Sequence, residues 1–302
     1  MKVTRIVPQG YCMGVVRALK IVKETLSDYP DTPIHLLGMI VHNTQLNEAL
    51  VKSGVIIHQD ALKSRSELLD EIQSGVVIFS AHGVSQEIYD RAIAKGLTVV
   101  DASCPDVILT HNVISEYLKQ DCRVLYLGKK NHPEAEAALS LDPKRILLIA
   151  SEDDAKALAY SEEKTVAITQ TTMSQEDVKD WLEILYQKRP QLFLCKEICA
   201  ATRQRQDALL DIQDDLLVVV GDPLSNNSRN LARIARRRHP KLTVLFVSSV
   251  KELKNQDLSP YHSASVTSGA STPGILSRQV IEYLEAWPKK TVFPPLTADD
   301  LL

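Results

Sequence analysis

The two common phosphate cradles are missing from this chain. It has no Gly-x-x-x-x-Gly-Lys-Ser/Thr segment and no Gly-x-Gly-x-x-Gly, so neither a standard nucleotide site nor a flavin or nicotinamide site is supported. No Cys-x-x-Cys pair occurs, which removes the usual zinc knuckle. No apolar run reaches the roughly 18 residues of a membrane span, and the N-terminus lacks the layout of a signal peptide. Positive charge is not in excess: 35 Lys and Arg stand against 38 Asp and Glu, a net charge of −3. That balance gives no reason to expect nucleic acid or an anionic membrane as a partner. The one dense basic cluster, Arg236-Arg237-Arg238-His239, closes an apparent helix before Pro240, where cations favour the negative end of the helix dipole. The chain reads as cytoplasmic. A hydrophobic content of 44% and a charged content of 24% are those of a globular protein, here long enough for two or three domains.

Cysteines are few and odd in number: 12, 104, 122, 195 and 199. Their scatter and the missing export signal argue against a disulfide framework, leaving core residues, nucleophiles or metal ligands. Cys122 begins the run "CRVLYLG" and reads as a small buried hydrophobe. If 193–198 is a strand, Cys195 lies about 13 Å back from Cys199 at ~3.3 Å per residue, too far to share a compact metal site. A helical Cys-x-x-x-Cys pair is the alternative there.

Short apolar runs alternate with helical patterns along most of the length. The segments 33–38, 75–80, 97–102, 123–128, 145–150, 165–170, 216–221 and 242–249 read as buried strands, and 13–28, 85–95, 174–188 and 273–286 as helices. This predicts an α/β class with mostly parallel sheets. Cys12, Cys104 and Cys199 recur at near-equal spacing, each where a strand gives way to a helix. That regularity suggests three small α/β domains in a pseudo-threefold arrangement, with three strand ends and three thiols facing a common centre. Three thiolates are too few for a fully protein-ligated four-iron cluster and leave one position open, as a catalytic metal centre needs. Zinc held by three cysteines competes with a cluster on these grounds.

The other strand ends are polar: "MIVHN" offers His42, "IFSAHG" His82, and "GKKNHPEAE" His132 and Glu134. "ITQTTMS" offers Thr171 and Thr172, "GDPLSNNS" Ser225, Asn226 and Asn227, and "SGASTPG" Ser271. Singly, Ser, Thr and Asn at such places are helix N-caps, each worth about 1 kcal/mol. Together with helix N-termini aimed the same way they make an anion site, and phosphate is the commonest such anion.

With these motifs in hand, the sequence resembles the LytB family, the 4-hydroxy-3-methylbut-2-enyl diphosphate reductases of the non-mevalonate isoprenoid pathway. "GYCMGV", "MIVHN", "FSAHGVS", "DASCPDV", "GKKNHPEAE", "TQTTMS", "EICAATRQRQ", "GDPLSNNS" and "SGASTP" occur in the family's order and spacing, from end to end. The "GKKNHPE" form is similar to the Firmicute-type variant. The resemblance implies three α/β domains, 13–97, 98–193 and 194–285, the last completed by 1–12 and 286–302, around a 4Fe–4S cluster. Cys12, Cys104 and Cys199 would ligate it, with one iron not ligated by protein and left for the substrate's oxygen. His42, His82, His132, Thr171, Thr172, Ser225, Asn226, Asn227 and Ser271 would bind an allylic diphosphate. Glu134, with Thr171 and His132 beside it, would deliver protons. The implied reaction is a two-electron reductive dehydroxylation giving isopentenyl and dimethylallyl diphosphate. Electrons would come from a ferredoxin or flavodoxin, to a monomer or homodimer.

Three places depart from the family's usual pattern: Gln9 before Gly10, the order Arg229-Asn230, and Ala137 after "HPEAE". A zinc hydrolase using the three cysteines, and a catalytically silent sensor or binding protein that retains the cluster pocket, are the readings that compete with a reductase.

Overall fold

The computed structural model describes residues 1–289 and 291–302. Among the described residues the strands are β1 (Lys2–Arg5), β2 (Ile34–Leu37), β3 (Val55–His58), β4 (Val76–Phe79), β5 (Thr98–Asp101) and β6 (Arg123–Leu127). Then follow β7 (Ile146–Ile149), β8 (Thr165–Thr169), β9 (Phe193–Lys196), β10 (Leu216–Val220), β11 (Thr243–Val247) and β12 (Ser263–Ser268). All eight apolar runs expected as strands form one. The four expected helices appear as Met13–Asp28, Gln86–Ala94, Gln175–Lys188 and Gly274–Ala286.

The strands make three four-stranded sheets, in the orders β3-β2-β4-β5, β7-β6-β8-β9 and β1-β12-β10-β11. Pairing is parallel between β2, β4 and β5, throughout the second sheet and throughout the third. The central strands β4 (VVIF), β8 (TVAIT) and β10 (LLVVV) are buried along their whole length. Such unbroken, mostly β-branched runs are what a parallel strand covered on both faces requires. The second and third sheets each carry two apolar clusters, one built on Leu182 and Leu185 and one on Ile114 and Tyr126, then one on Val280 and Leu284 and one on Leu231 and Ile234. β5 lies beyond residue 97 yet pairs back to β4, and β9 straddles residue 193 and pairs with β8.

One segment differs from the sequence reading, and one alternative left open there is decided. "MIVHN" is not a strand end: β2 stops at Leu37, Gly38 turns into the left-handed region (φ 85°), and the chain bends through 40–42 into the helix Thr44–Lys52. Asn43 caps that helix, its Oδ1 accepting from Leu46 N–H at 2.9 Å. Residues 193–196 form a strand, which rules out the helical Cys195–Cys199 pair.

By its internal contacts the chain divides into two compact units, one made of Met1–Leu19, Val41–Val55 and Ala200–Leu302, the other of Lys20–Ile40 and Ile56–Cys199. The first unit holds the third sheet. The second holds the other two, apart from Val55 at the start of β3. Among the described residues no helix is long and apolar enough to cross a membrane.

Gly75 opens β4 with φ 106°, and a Cβ there would overlap the Pro33 carbonyl oxygen that accepts from Val76 N–H at 2.9 Å. Gly75→Ala is therefore expected to cost about 2 kcal/mol or more in urea unfolding, through backbone strain plus loss of the contact that starts the β2–β4 register.

Candidate active site

None of the five cysteines is in a disulfide. Cys12, Cys104 and Cys199 are half-buried, and each immediately precedes a helix: Met13–Asp28, Pro105–Lys119 and Ala200–Asp207. Each also donates its backbone N–H to a neighbouring loop. Cys12 donates to the Ala270 carbonyl at 3.0 Å, Cys104 to Ala81 at 3.0 Å and Cys199 to Thr171 at 3.2 Å. Those loops carry Ser271, His82 and Thr171 itself. The other two thiols are differently placed. Cys122 is buried in an apolar cluster, and Cys195 donates to the Ala167 carbonyl at 3.4 Å, with burial pushing its thiol up to about 12. Cys195 therefore keeps its proton near neutral pH, which suits a core residue.

In the second unit the loops after β6 and β8 bring Glu134, His132 and Thr171 together. Pro133 starts the helix Pro133–Leu139, and His132 is its N-cap, with Nδ1 accepting from Glu134 N–H at 3.2 Å. An accepting Nδ1 fixes the neutral tautomer and leaves Nε2 as the ring's donor. Glu134 is 1% exposed. Its Oε1 accepts from Thr171 N–H and its Oε2 from Thr171 Oγ1, both at 2.8 Å. Burial pushes its carboxyl up to about 7, against the opposing pull of the Thr171 donors, Lys196 and Tyr126. Loss of solvation outweighs three favourable partners, so near neutral pH this carboxyl holds its proton about half the time. His82 meets His132 edge-on, ring centroids 5.3 Å apart. Gln170 is fully buried and ties the two loops, accepting from Lys129 N–H at 2.8 Å and donating to Thr172 Oγ1 at 3.1 Å.

In the first unit the loop after β10 leads into the helix Asn226–Arg238. Ser225 caps it, accepting from Ser228 N–H at 3.2 Å. Ser271 Oγ lies 3.3 Å from Ser225 Oγ and 3.2 Å from the His42 carbonyl. Both polar atoms of the Asn227 side chain, Ser228 Oγ and Thr267 Oγ1 are buried without a hydrogen-bond partner among the described residues. Orphaned buried groups cost about 1–3 kcal/mol each, and Asn227 and Ser228 stand in the first turn of a helix, where free N–H groups suit an anionic ligand. Backbone closes in around Ser228: a Cβ on Gly269 would overlap its hydroxyl, and one on Gly221 would come within 2.5 Å of its Cβ. Asn226, half-buried, opens the first turn of the same helix.

Of three residues that brace these loops, Arg205 and Asp222 were not singled out by the sequence reading, and Gln9 was noted there only as a departure from the family pattern. Gln9 Nε2 donates to the Val266 carbonyl at 2.7 Å, fastening the corner before Cys12 to β12. Arg205, 2% exposed, donates to the Gly10 carbonyl at 2.8 Å from the helix that follows Cys199. Asp222 accepts from Thr44 N–H at 2.6 Å and Leu224 N–H at 2.7 Å, joining the loop after β10 to the start of the helix beside His42. Only the Asp-Pro dipeptide carried a local signal, that of a turn. The other departures have plain placements. Arg229 is exposed, Asn230 is buried and accepts from Arg233 at 3.2 Å, and Ala137 is buried in its helix.

Glu134 also predicts a pH dependence of stability. Its carboxyl binds a proton more tightly folded than unfolded, so its contribution is complete below about 4.5 and is lost as pH rises through about 7. Relative to Glu134→Gln, the wild type is expected to lose about 3 kcal/mol across that window in urea unfolding, and nothing further above it.

Comparisons with known proteins show the family and the fold. The family model described as LytB protein matches residues 3–285. The chain is 43% identical over 290 residues to the 4-hydroxy-3-methylbut-2-enyl diphosphate reductases of Bacillus mycoides (strain KBAB4) and Bacillus cereus (strain AH187), covering 95% of this chain and 91% of each relative. Its fold is similar to the solved E-1-hydroxy-2-methyl-but-2-enyl-4-diphosphate reductase from Plasmodium falciparum, with a TM-score of 0.87 at 30% identity over 95% of this chain and 89% of that one. A second solved structure, of (E)-4-hydroxy-3-methyl-but-2-enyl diphosphate reductase, the terminal enzyme of the non-mevalonate pathway, matches at a TM-score of 0.65 and 26% identity over 94% of this chain and 99% of that one. With the family model spanning nearly the whole chain, this protein belongs to the LytB family.

Proposed function

We propose that the chain is an iron–sulfur reductase that converts (E)-4-hydroxy-3-methylbut-2-enyl diphosphate to isopentenyl and dimethylallyl diphosphate, the last step of the non-mevalonate isoprenoid pathway. In the reaction the allylic C–O bond breaks, a C–H bond forms and the hydroxyl leaves as water, consuming two electrons and two protons. The observation that carries this reading is the buried Glu134 carboxyl, pushed up to about 7 and held at both oxygens by Thr171. A general acid for neutral pH needs that acidity and that fixed direction.

Cys12, Cys104 and Cys199 are proposed as ligands of a 4Fe–4S cluster. The donor set fits. These three thiols stand at polar strand-end corners and are half-buried, while Cys122 and Cys195 are committed to apolar surroundings or a carbonyl. When bound, the cluster supplies the electrons and a Lewis-acidic iron for the substrate's oxygen. The chain's own residues do the rest. Ser225, Asn226, Asn227 and Ser271, with His42, His82, His132 and Thr172, bind and orient the diphosphate. Neutral donors and imidazoles in place of several Lys and Arg make that grip dependent on protonation. Glu134 gives its proton to the leaving hydroxyl, and Thr171 stabilises the carboxylate left behind.

In this reading the enzyme acts in the cytoplasm as a monomer or homodimer and takes electrons from a small ferredoxin or flavodoxin. It is organised as three α/β domains, 13–97, 98–193 and 194–285 with the two termini, and β5 and β9 reach back across the first two boundaries to pair.

The test is anaerobic turnover of the allylic diphosphate with dithionite as reductant. The wild type forms both isomeric products. Glu134→Gln is expected to lower turnover about 100-fold or more while leaving substrate affinity within about threefold, because its amide keeps the volume and loses the proton. Retention of near-wild-type turnover by Glu134→Gln would contradict the reading.

A further inference from the structure

Tyr126 lies in the middle of β6, inside one of the apolar runs. Its ring is fully buried among Ala135 and Ala138, from the helix that carries Glu134, and Ile168 of β8. Its hydroxyl is buried too and lies near enough to the Glu134 carboxyl to act on it as a donor, but without the geometry of a closed hydrogen bond. A phenol placed so deep without a closed hydrogen bond is an exception that a native core rarely tolerates. The ring has little freedom to seek another, since a Cβ on Gly128 would stand 2.7 Å from Tyr126 Cε1, in the loop leading to His132. Burial, with the Glu134 carboxyl next in effect, holds the phenol well above its usual range, so it stays a protonated donor at any working pH. The groups acting on the Glu134 carboxyl are the two Thr171 donors, Lys196 and this phenol, with His132 at the helix start.

We propose that the Tyr126 hydroxyl is a positioning group for Glu134, closing a third hydrogen bond to its carboxylate, beside the two from Thr171, when the acid gives up its proton. The phenol keeps its own proton throughout and only directs it at the new negative charge, so no atom or electron is transferred to or from Tyr126. An orphaned donor in the resting state then becomes satisfied in the state that follows proton delivery. This rests on the proton-donor reading of Glu134 for its catalytic consequence, but the hydrogen bond itself is testable without it.

The experiment uses Tyr126→Phe, which removes one oxygen and preserves the ring. The midpoint of the Glu134 carboxylic C=O band is followed by infrared titration, with Glu134→Gln identifying the band, in parallel with the pH profile of kcat on the cluster-loaded enzyme. Removing a donor to the carboxylate raises its proton affinity, so the midpoint is expected to rise by about one pH unit, a tenfold change. The alkaline limb of kcat, which falls as the acid deprotonates, should move up with it while KM stays put. Replacing Tyr126 with 3-fluorotyrosine, a stronger donor, should move both the opposite way, which a purely structural role would not do. A midpoint within about 0.2 unit of wild type in both variants would overturn the proposal. A shifted midpoint with an unmoved kcat limb would keep the hydrogen bond and remove Glu134 as the proton donor.

Discussion

Three backbone hydrogen bonds fix the candidate cysteines, one in the first unit and two in the second: Cys12 to Ala270, Cys104 to Ala81 and Cys199 to Thr171. Each fixes a cysteine corner to the loop that leaves a neighbouring strand, and each of those loops carries polar side chains of the site. The parallel sheets make this economical. When strands run the same way, their carboxyl ends lie along one edge, and the helices that follow point their N–H groups from that edge. Sulfur, hydroxyl, amide and imidazole therefore arrive at the same rim of the sheet without long loops. Gln9 and Arg205 reinforce the first of these corners by pinning residues 9 and 10, and Gly10 N–H donates to Ser268 Oγ at 2.9 Å.

The electrostatics follow from neutral groups used under burial. In the first unit, amide and hydroxyl atoms of Asn227, Ser228 and Thr267 are buried without a hydrogen-bond partner among the described residues. In the second, desolvation raises one carboxyl, and Thr171, Lys196 and Tyr126 pull it back only part of the way. Were solvation of Glu134 restored, the same partners would leave an ordinary carboxylate with no proton to give near neutral pH. Burial is thus the variable that raises this carboxyl, and the two Thr171 donors hold its oxygens in place.

Much of the fold was legible because it depends on apolar runs. The eight strands read from the sequence are short apolar runs, three of them buried along their whole length, and four helix spans follow from their periodicity. β12 escaped that reading because a strand between β1 and β10 is here made largely of hydroxyl residues, Ser263, Ser265, Thr267 and Ser268. The segment 39–43 was misread because Ile40 and Val41 are buried in bends, apolar without being strand. The discontinuous first unit, which gathers 41–55 with both ends of the chain, has no local signature. It depends on contacts such as those of Ala49 and Leu301 in a shared core. The polar strand ends were visible as types, since Ser, Asn and His after an apolar run are conspicuous. Gln9, Arg205 and Tyr126 were not, because their significance lies in a carbonyl or carboxyl far away in sequence. Tyr126 in particular reads as one more apolar strand residue until its hydroxyl is found buried beside an acid.

The central claim is that Cys12, Cys104 and Cys199, and not the other two cysteines, hold a four-iron cluster. Iron and acid-labile sulfide counted in anaerobically purified protein test it most directly, with each cysteine replaced by serine in turn. The account predicts about four of each per chain in the wild type, retained in Cys122→Ser and Cys195→Ser and lost or degraded in each of the other three. Stoichiometric zinc without sulfide, or a full cluster surviving the loss of Cys12, Cys104 or Cys199, would contradict it.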